Sequence, residues 1–287
     1  MISRFKNYLS LVAFSHTVFA VPFAVIGFFL GIRQIRFPFD PLLFLKMILC
    51  MVFARTSAMA FNRYADRFID RKNERTKGRE IPAGTISPTS ALTLVILSSV
   101  LFVLTTYTIN QLCFYLSPVA LLVVLGYSFT KRFTWLCHFI LGIGLSLAPI
   151  GAYLAVTGKF DWLPLFFSFA VICWVSGFDI IYALQDEEFD KANQLYSLPS
   201  FLGKSKALQL SKLLHFVSAT FIVVAGLNAH FSFIYWMGTA VFVSMLIYQH
   251  TLVKPGDLSK VNRAFFTTNG IASIVFACFV VVELIIG

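Results

Sequence analysis

Charge is scarce in this chain. Only 13% of its 287 residues are Asp, Glu, Lys or Arg, against about 25% in an ordinary soluble domain, and only 13 are acidic. A soluble enzyme with a charged surface is therefore excluded. Cysteine is sparse as well. Cys50, Cys113, Cys137, Cys173 and Cys278 stand alone in or beside apolar runs. With no CxxC and no Cys/His ligand spacing, they argue against a disulfide framework or a zinc site and read as small buried hydrophobes. No small-residue cleavage site follows the first apolar run, so no cleavable signal is expected.

What is abundant is hydrocarbon: 58% of residues are hydrophobic and 33 are Phe. Nine apolar runs can be drawn, at 11–31, 42–61, 88–108, 112–129, 135–157, 162–184, 210–228, 231–252 and 264–286. Each is long enough, at about 18–23 residues, to cross a hydrocarbon core of ~30 Å. The expectation is an all-α polytopic membrane protein, a bundle of nine transmembrane helices around a central cavity, forming one domain over residues 1–287.

Basic residues test that layout. Of 23 Lys and Arg, only Arg33, Arg36 and Lys159 fall in the connections after odd-numbered spans, and Lys46 and Arg55 fall inside the second span. The rest lie on the N-terminal side of the membrane. The positive-inside rule then puts the N-terminus and the even connections in the cytoplasm and the C-terminus outside, as in a bacterial-type inner membrane. The net charge of +10 is thus topological, and no nucleic-acid partner is expected.

Acidic residues cluster more tightly still. Nine of the 13 lie in two segments, NRYADRFIDRKNERTKGREIPAG at 62–84 and GFDIIYALQDEEFD at 177–190. Each leaves a span on the cytoplasmic side and is followed by a Pro-containing turn, IPAG and SLPS, which suggests a distant internal duplication. On a helix, Asn62, Asp66 and Asp70 share one face, as do Asp179, Tyr182, Asp186 and Asp190. Hard oxygen ligands at this density suit Mg²⁺ held together with phosphate oxygens. Without a cation the carboxylates would repel each other and any anionic substrate. Arg55, Arg79, Lys131 and Arg132 supply cations suited to phosphate. Arg55 and Asp179 lie nearer the hydrocarbon, where an ionisable side chain is a functional candidate by default. Together these residues describe a diphosphate site at the mouth of a membrane cavity.

Other polar residues invite plainer readings. Arg63, Arg67, Arg71 and Lys72 are assigned to interfacial anchoring, and Glu187 and Glu188 to solvent. His16 opens the first span and is a candidate cavity residue; His138, His215, His230 and His250 receive no role. Gly142, Gly144 and Ala148 read as helix-packing positions rather than tunnel lining.

At these residues the chain resembles the UbiA superfamily of intramembrane prenyltransferases. The first segment is similar to that family's NxxxDxxxD signature. The second is similar to its DxxYAxxDxxxD signature, at Asp179, Tyr182, Ala183, Asp186 and Asp190. The resemblance implies transfer of an isoprenoid group from a polyprenyl diphosphate to an aromatic acceptor, with Mg²⁺. It implies that Asn62, Asp66, Asp70, Asp186 and Asp190 hold the Mg²⁺–diphosphate, that Arg79 and Lys131 bind diphosphate oxygens, and that Asp179 assists acceptor deprotonation. HTVFAVPFAVIG, REIPAG and GFDIIYALQDEEFD look most like the 4-hydroxybenzoate polyprenyltransferase branch. That branch includes enzymes similar to those acting on 1,4-dihydroxy-6-naphthoate in the futalosine route to menaquinone. DEEFD stands where some 4-hydroxybenzoate members carry a more Asp-rich run, which tilts toward the naphthoate. Either acceptor belongs to ubiquinone or menaquinone biosynthesis.

An ion-coupled carrier is the competing class. Carriers place ionisable groups near the bilayer midplane, often on broken helices, whereas the acids here gather at one face. A purely structural scaffold explains the composition but not the repeated DxxxD.

Overall fold

The computed structural model describes residues 7, 8, 10–12 and 19–287; His16 lies outside the described residues. Among these, secondary structure is helical throughout, with one isolated β-bridge joining Lys254 and Asp257. The helices are α1 (Val21–Ile35), α2 (Pro41–Ala65), α3 (Arg67–Lys72), α4 (Pro88–Tyr107), α5 (Gln111–Thr130), α6 (Cys137–Thr157), α7 (Trp162–Ala183), α8 (Glu187–Ala192), α9 (Leu198–Asn228), α10 (Phe233–Leu252) and α11 (Asn269–Ile286). A tight turn, Leu184–Asp186, joins α7 to α8, and a widened turn, Arg263–Thr268, leads into α11.

Each of the nine predicted spans overlaps a helix, but seven helices are long and apolar enough to cross a membrane. The two predicted spans outside that set correspond to α1, 15 residues long, and α10, 20 residues long. The seventh span starts earlier than its apolar run does. Ser197 and Ser200 form a capping box and Pro199 sits in the first turn, so SLPS begins a helix rather than closing a loop. Gly203, at φ 77°, then interrupts α9, a conformation open to glycine because it has no Cβ.

Packing groups the chain into two compact units. The first contains Leu42–Phe129 and the described residues before residue 13. Its core, Leu11, Ala60, Ile81, Ile86, Ala91 and Val95, fastens the 73–87 loop to α2 and α4. Ser57 and Ser99 hydrogen-bond across those helices at 2.6 Å. Lys46, charged yet inside a predicted span, donates to the carbonyl of Thr108 at the end of α4 at 2.9 Å, where a cation complements the helix dipole.

The second unit contains α1 and the chain from Thr130 onward. Its core is aromatic: Phe23, Trp174, Phe178, Phe242 and Phe276 are buried against one another. Trp174 donates its indole N–H to Asn269 Oδ1 at 2.9 Å. Small residues let the helices approach. A Cβ on Gly27 would lie 2.0 Å from the carbonyl oxygen of Pro149, and one on Gly142 would lie 2.6 Å from that of Ile172. Gly142 is therefore a packing position, as expected. Leu122 and Phe216 remain exposed, as side chains bathed in hydrocarbon tails would be.

Candidate active site

The first acidic segment does not run as one helix. Helix α2 ends at Ala65, Asp66 adopts φ −89° and ψ 3°, and α3 begins at Arg67. The Asp66 N–H still donates to the Asn62 carbonyl at 2.9 Å and the Asp70 N–H to that of Asp66 at 2.7 Å. The motif residues therefore stay in succession across the break. Asn62 Nδ2 donates to Asp66 Oδ2 at 3.1 Å, orienting that carboxylate. Asp70 is buried, and Arg79 Nη1 donates to its Oδ1 at 2.7 Å. The loop bringing Arg79 back is fixed by Thr76, buried and donating its hydroxyl to the Asp70 carbonyl at 3.2 Å.

The same unit holds two further guanidiniums. Arg55 Nε and Arg63 Nε are both buried with no hydrogen-bond partner among the described residues. Arg63 lies within electrostatic reach of Asp70, Arg79, Glu80 and Tyr127, and Arg55 of Tyr127. Arg63 is thus a correction to its assignment as an interfacial anchor. Its side chain turns into the acidic region because the 73–87 loop folds back over α2, a contact that local periodicity does not encode.

The second segment repeats the pattern. Helix α7 tightens at Leu184–Asp186, Asp186 adopts φ −101° and ψ 4°, and α8 carries Asp190. A single continuous helix through Asp179, Tyr182, Asp186 and Asp190 is therefore replaced by two segments with a junction at Asp186. Asp186 and Asp190 are both buried. Lys131 Nζ lies 2.7 Å from Asp190 Oδ1. Burial alone would pull the Lys131 ammonium down, but the charge and hydrogen bond of Asp190, with Asp186 behind them, raise its pKa and keep it protonated. The Lys131 carbonyl accepts the Tyr196 N–H at 2.8 Å, anchoring the 130–136 turn. Arg132 is exposed. The Tyr182 ring packs on Phe265 with centroids 4.3 Å apart.

Two further residues depart from expectation in this unit. Glu187, read as solvated, is buried and paired with Lys191 at 2.6 Å and Lys204 at 3.8 Å. Glu188 is exposed. His138, given no role, is buried with Nδ1 2.6 Å from Asp179 Oδ2. An ionisable residue within an apolar run was the available signal for His138.

The acidic residues suit Mg²⁺, which takes one or two carboxylates and completes its shell with water and phosphate oxygens. Asp70 Oδ2 is buried and has no hydrogen-bond partner among the described residues, whereas Asp190 Oδ1 is met by Lys131 Nζ at 2.7 Å. Buried carboxylate oxygens without donors are costly unless something charged meets them. Among the described residues no three His, Cys, Asp or Glu side chains gather into a ligand cluster of their own; each unit offers a pair.

Comparison with known proteins follows from this geometry. Residues 19–271 match the model of the UbiA prenyltransferase family. The chain is 30% identical over 233 residues to the 4-hydroxybenzoate octaprenyltransferase of Nitrosospira multiformis, covering 81% of this chain and 80% of that protein. It is also 30% identical over 232 residues to the protein of that name from Aliivibrio fischeri, covering 80% of each. Among solved structures, the apo structure of a UbiA homolog from Aeropyrum pernix K1 aligns with a TM-score of 0.84 and 29% identity, over 93% of this chain and 98% of that one. A UbiA homolog from Archaeoglobus fulgidus bound to GPP and Mg²⁺ shares the fold, with a TM-score of 0.77 at 20% identity over 98% and 100% of the two chains.

Proposed function

The chain belongs to the UbiA prenyltransferase family and is an integral membrane enzyme, and we propose that it transfers a polyprenyl group from a polyprenyl diphosphate to an aromatic carboxylic acid. In this reading residues 1–287 act as one catalytic domain, with the N-terminus and donor site on the cytoplasmic face and the C-terminus outside. Asp66, Asp70, Asp186 and Asp190 are assigned to the diphosphate and its Mg²⁺.

The residues divide the work. Asn62 orients Asp66, and Arg79 pins one oxygen of Asp70 so that the other is available to a ligand. Asn62, Asp66, Asp70, Asp186 and Asp190 would hold Mg²⁺. When bound, Mg²⁺ supplies charge neutralisation that makes diphosphate a better leaving group. As the allylic C–O bond breaks, its electron pair departs with the diphosphate. Arg79 and Lys131 are placed to meet the charge that develops there. Arg has donors to spare beyond Asp70. A ring carbon of the acceptor bonds to the allylic carbon, and the ring proton then leaves, restoring aromaticity; Asp179 is the assigned base. Arg55 and Arg132 are further anion-binding candidates, and Tyr182 and His16 further substrate-contacting ones.

The observation that supports this reading most is the paired arrangement of buried aspartates: Asp70 on Arg79 and Asp190 on Lys131, each in the last position of a DxxxD. The acceptor follows less directly. The names of the curated relatives favour 4-hydroxybenzoate, and DEEFD favours 1,4-dihydroxy-6-naphthoate. A reconstituted-membrane assay with a polyprenyl diphosphate, Mg²⁺ and both acids in competition separates them by product mass. Prenylated benzoate puts the enzyme in ubiquinone-type synthesis and prenylated naphthoate in menaquinone synthesis. Failure with both contradicts the acceptor class.

A further inference from the structure

His138 lies in the first turn of α6, is 3% exposed, and links three helices. Its Nδ1 is 2.6 Å from Asp179 Oδ2 on α7. Its Nε2 accepts the backbone N–H of Leu198, the first residue of α9, at 3.2 Å. The Ser176 hydroxyl, which donates to the Ile172 carbonyl at 2.7 Å, also lies 3.2 Å from the His138 carbonyl.

These contacts define the imidazole. A backbone N–H can only donate, so Nε2 must present its lone pair, and the ring proton must sit on Nδ1, pointing at Asp179. A second proton on Nε2 would set two N–H groups against each other. The Leu198 amide is itself held in place. The Ser200 N–H donates to Ser197 Oγ at 3.3 Å and the Ser197 N–H to Ser200 Oγ at 3.0 Å. The start of α9 therefore sets the tautomer of His138, and His138 offers Asp179 a donor of fixed position. Asp179 is 22% exposed, and among the described residues His138 is bonded to its Oδ2 while none is bonded to its Oδ1.

We propose that His138 is a positioning residue for Asp179: it holds Oδ2 and thereby reserves Oδ1 as the oxygen that takes the acceptor proton. This rests on the prenyl-transfer reading above. In the step concerned, the proton lost from the acceptor ring passes to Asp179 Oδ1 and its bonding electrons return to the ring. Nothing else is oxidised or reduced. His138 keeps its own proton throughout, because Leu198 blocks the other nitrogen.

Two isosteric substitutions divide the functions of the ring. In His138→Asn the side-chain amide takes the place of Nδ1 and still donates to Asp179, while Leu198 loses its acceptor. In His138→Gln the amide oxygen takes the place of Nε2 and still accepts from Leu198, while Asp179 loses its donor. Full-length variants are compared in reconstituted membranes for kcat, donor KM and thermal midpoint. His138→Gln is expected to lower kcat roughly 10–100-fold, with donor KM within about 3-fold of wild type and little change in melting. His138→Asn is expected to recover most of that kcat even though it melts lower. His138→Gln with Asp179→Asn should be no slower than Asp179→Asn alone, since both remove one function. Losses that follow melting temperature, with His138→Asn the worse of the two, overturn the proposal in favour of a helix tie. So do losses that multiply in the double variant. Wild-type protein that prenylates neither acid contradicts the acceptor class, and the role of His138 in deprotonating that acceptor falls with it.

Discussion

Asp66 and Asp186 share one backbone conformation, φ −89°, ψ 3° and φ −101°, ψ 4°. This is the sparsely populated bridge region in which many active-site residues sit. Each ends one helical run and opens a six-residue helix whose fourth residue, Asp70 or Asp190, is buried and ion-paired, to Arg79 or to Lys131. The duplication suggested by the two DxxxD patterns therefore extends to the chain geometry and to the choice of partner. In each segment one aspartate marks the junction and the next is buried against a basic partner.

That division predicts the effect of deleting either half. Asp66→Ala and Asp190→Ala should each reduce prenyl transfer at least ~10³-fold, because the charge balance of the departing diphosphate depends on both pairs. Membrane insertion should be unchanged, since neither residue adds apolar surface. Turnover and membrane fractionation measure the two effects separately. Near-normal turnover in either variant contradicts the role assigned to that aspartate.

Arg79 and Asp70 should separate stability from activity. Arg79→Met strands a carboxylate that is only 7% exposed, a loss of about 1–3 kcal/mol. Adding Asp70→Asn should restore much of the thermal midpoint without restoring turnover. A double variant that regains activity would mean the pair is only structural.

Gly27 should be intolerant of any side chain. Its Cβ would meet the Pro149 carbonyl oxygen at 2.0 Å, so Gly27→Ala must separate α1 from α6, at a cost of roughly 1–3 kcal/mol. Gly126, also helical, has open space where its Cβ would go, so Gly126→Ala should be neutral or stabilising by about 0.5–1 kcal/mol. Melting in detergent compares them.

Much of this was legible in the sequence because membrane burial and metal chemistry leave local marks. Long apolar runs located α4 to α7 to within a few residues, and four-residue spacing singled out Asp66, Asp70, Asp186 and Asp190. What was not legible depends on contacts between distant residues. The breaks at Asp66 and Asp186 carry no Pro or Gly to announce them. Arg63 and Glu187 are charged residues near span ends, and only the loop and helix packed against them decide that the Arg63 Nε and the Glu187 side chain are buried. His138 meets Asp179 across 41 residues and Leu198 across 60. SLPS looked like a turn because its Pro was counted as a breaker, whereas Pro in a first turn starts a helix.

The measurement that tests the account most directly is label transfer from an isotopically tagged polyprenyl diphosphate to 4-hydroxybenzoate or 1,4-dihydroxy-6-naphthoate by the purified, reconstituted chain. It would be run with Mg²⁺, after chelation, and after Mg²⁺ is restored. The account predicts a labelled prenyl acid with Mg²⁺, loss of product on chelation, and recovery on restoration. Undiminished transfer after chelation, or none to either acid under any of these conditions, would contradict it.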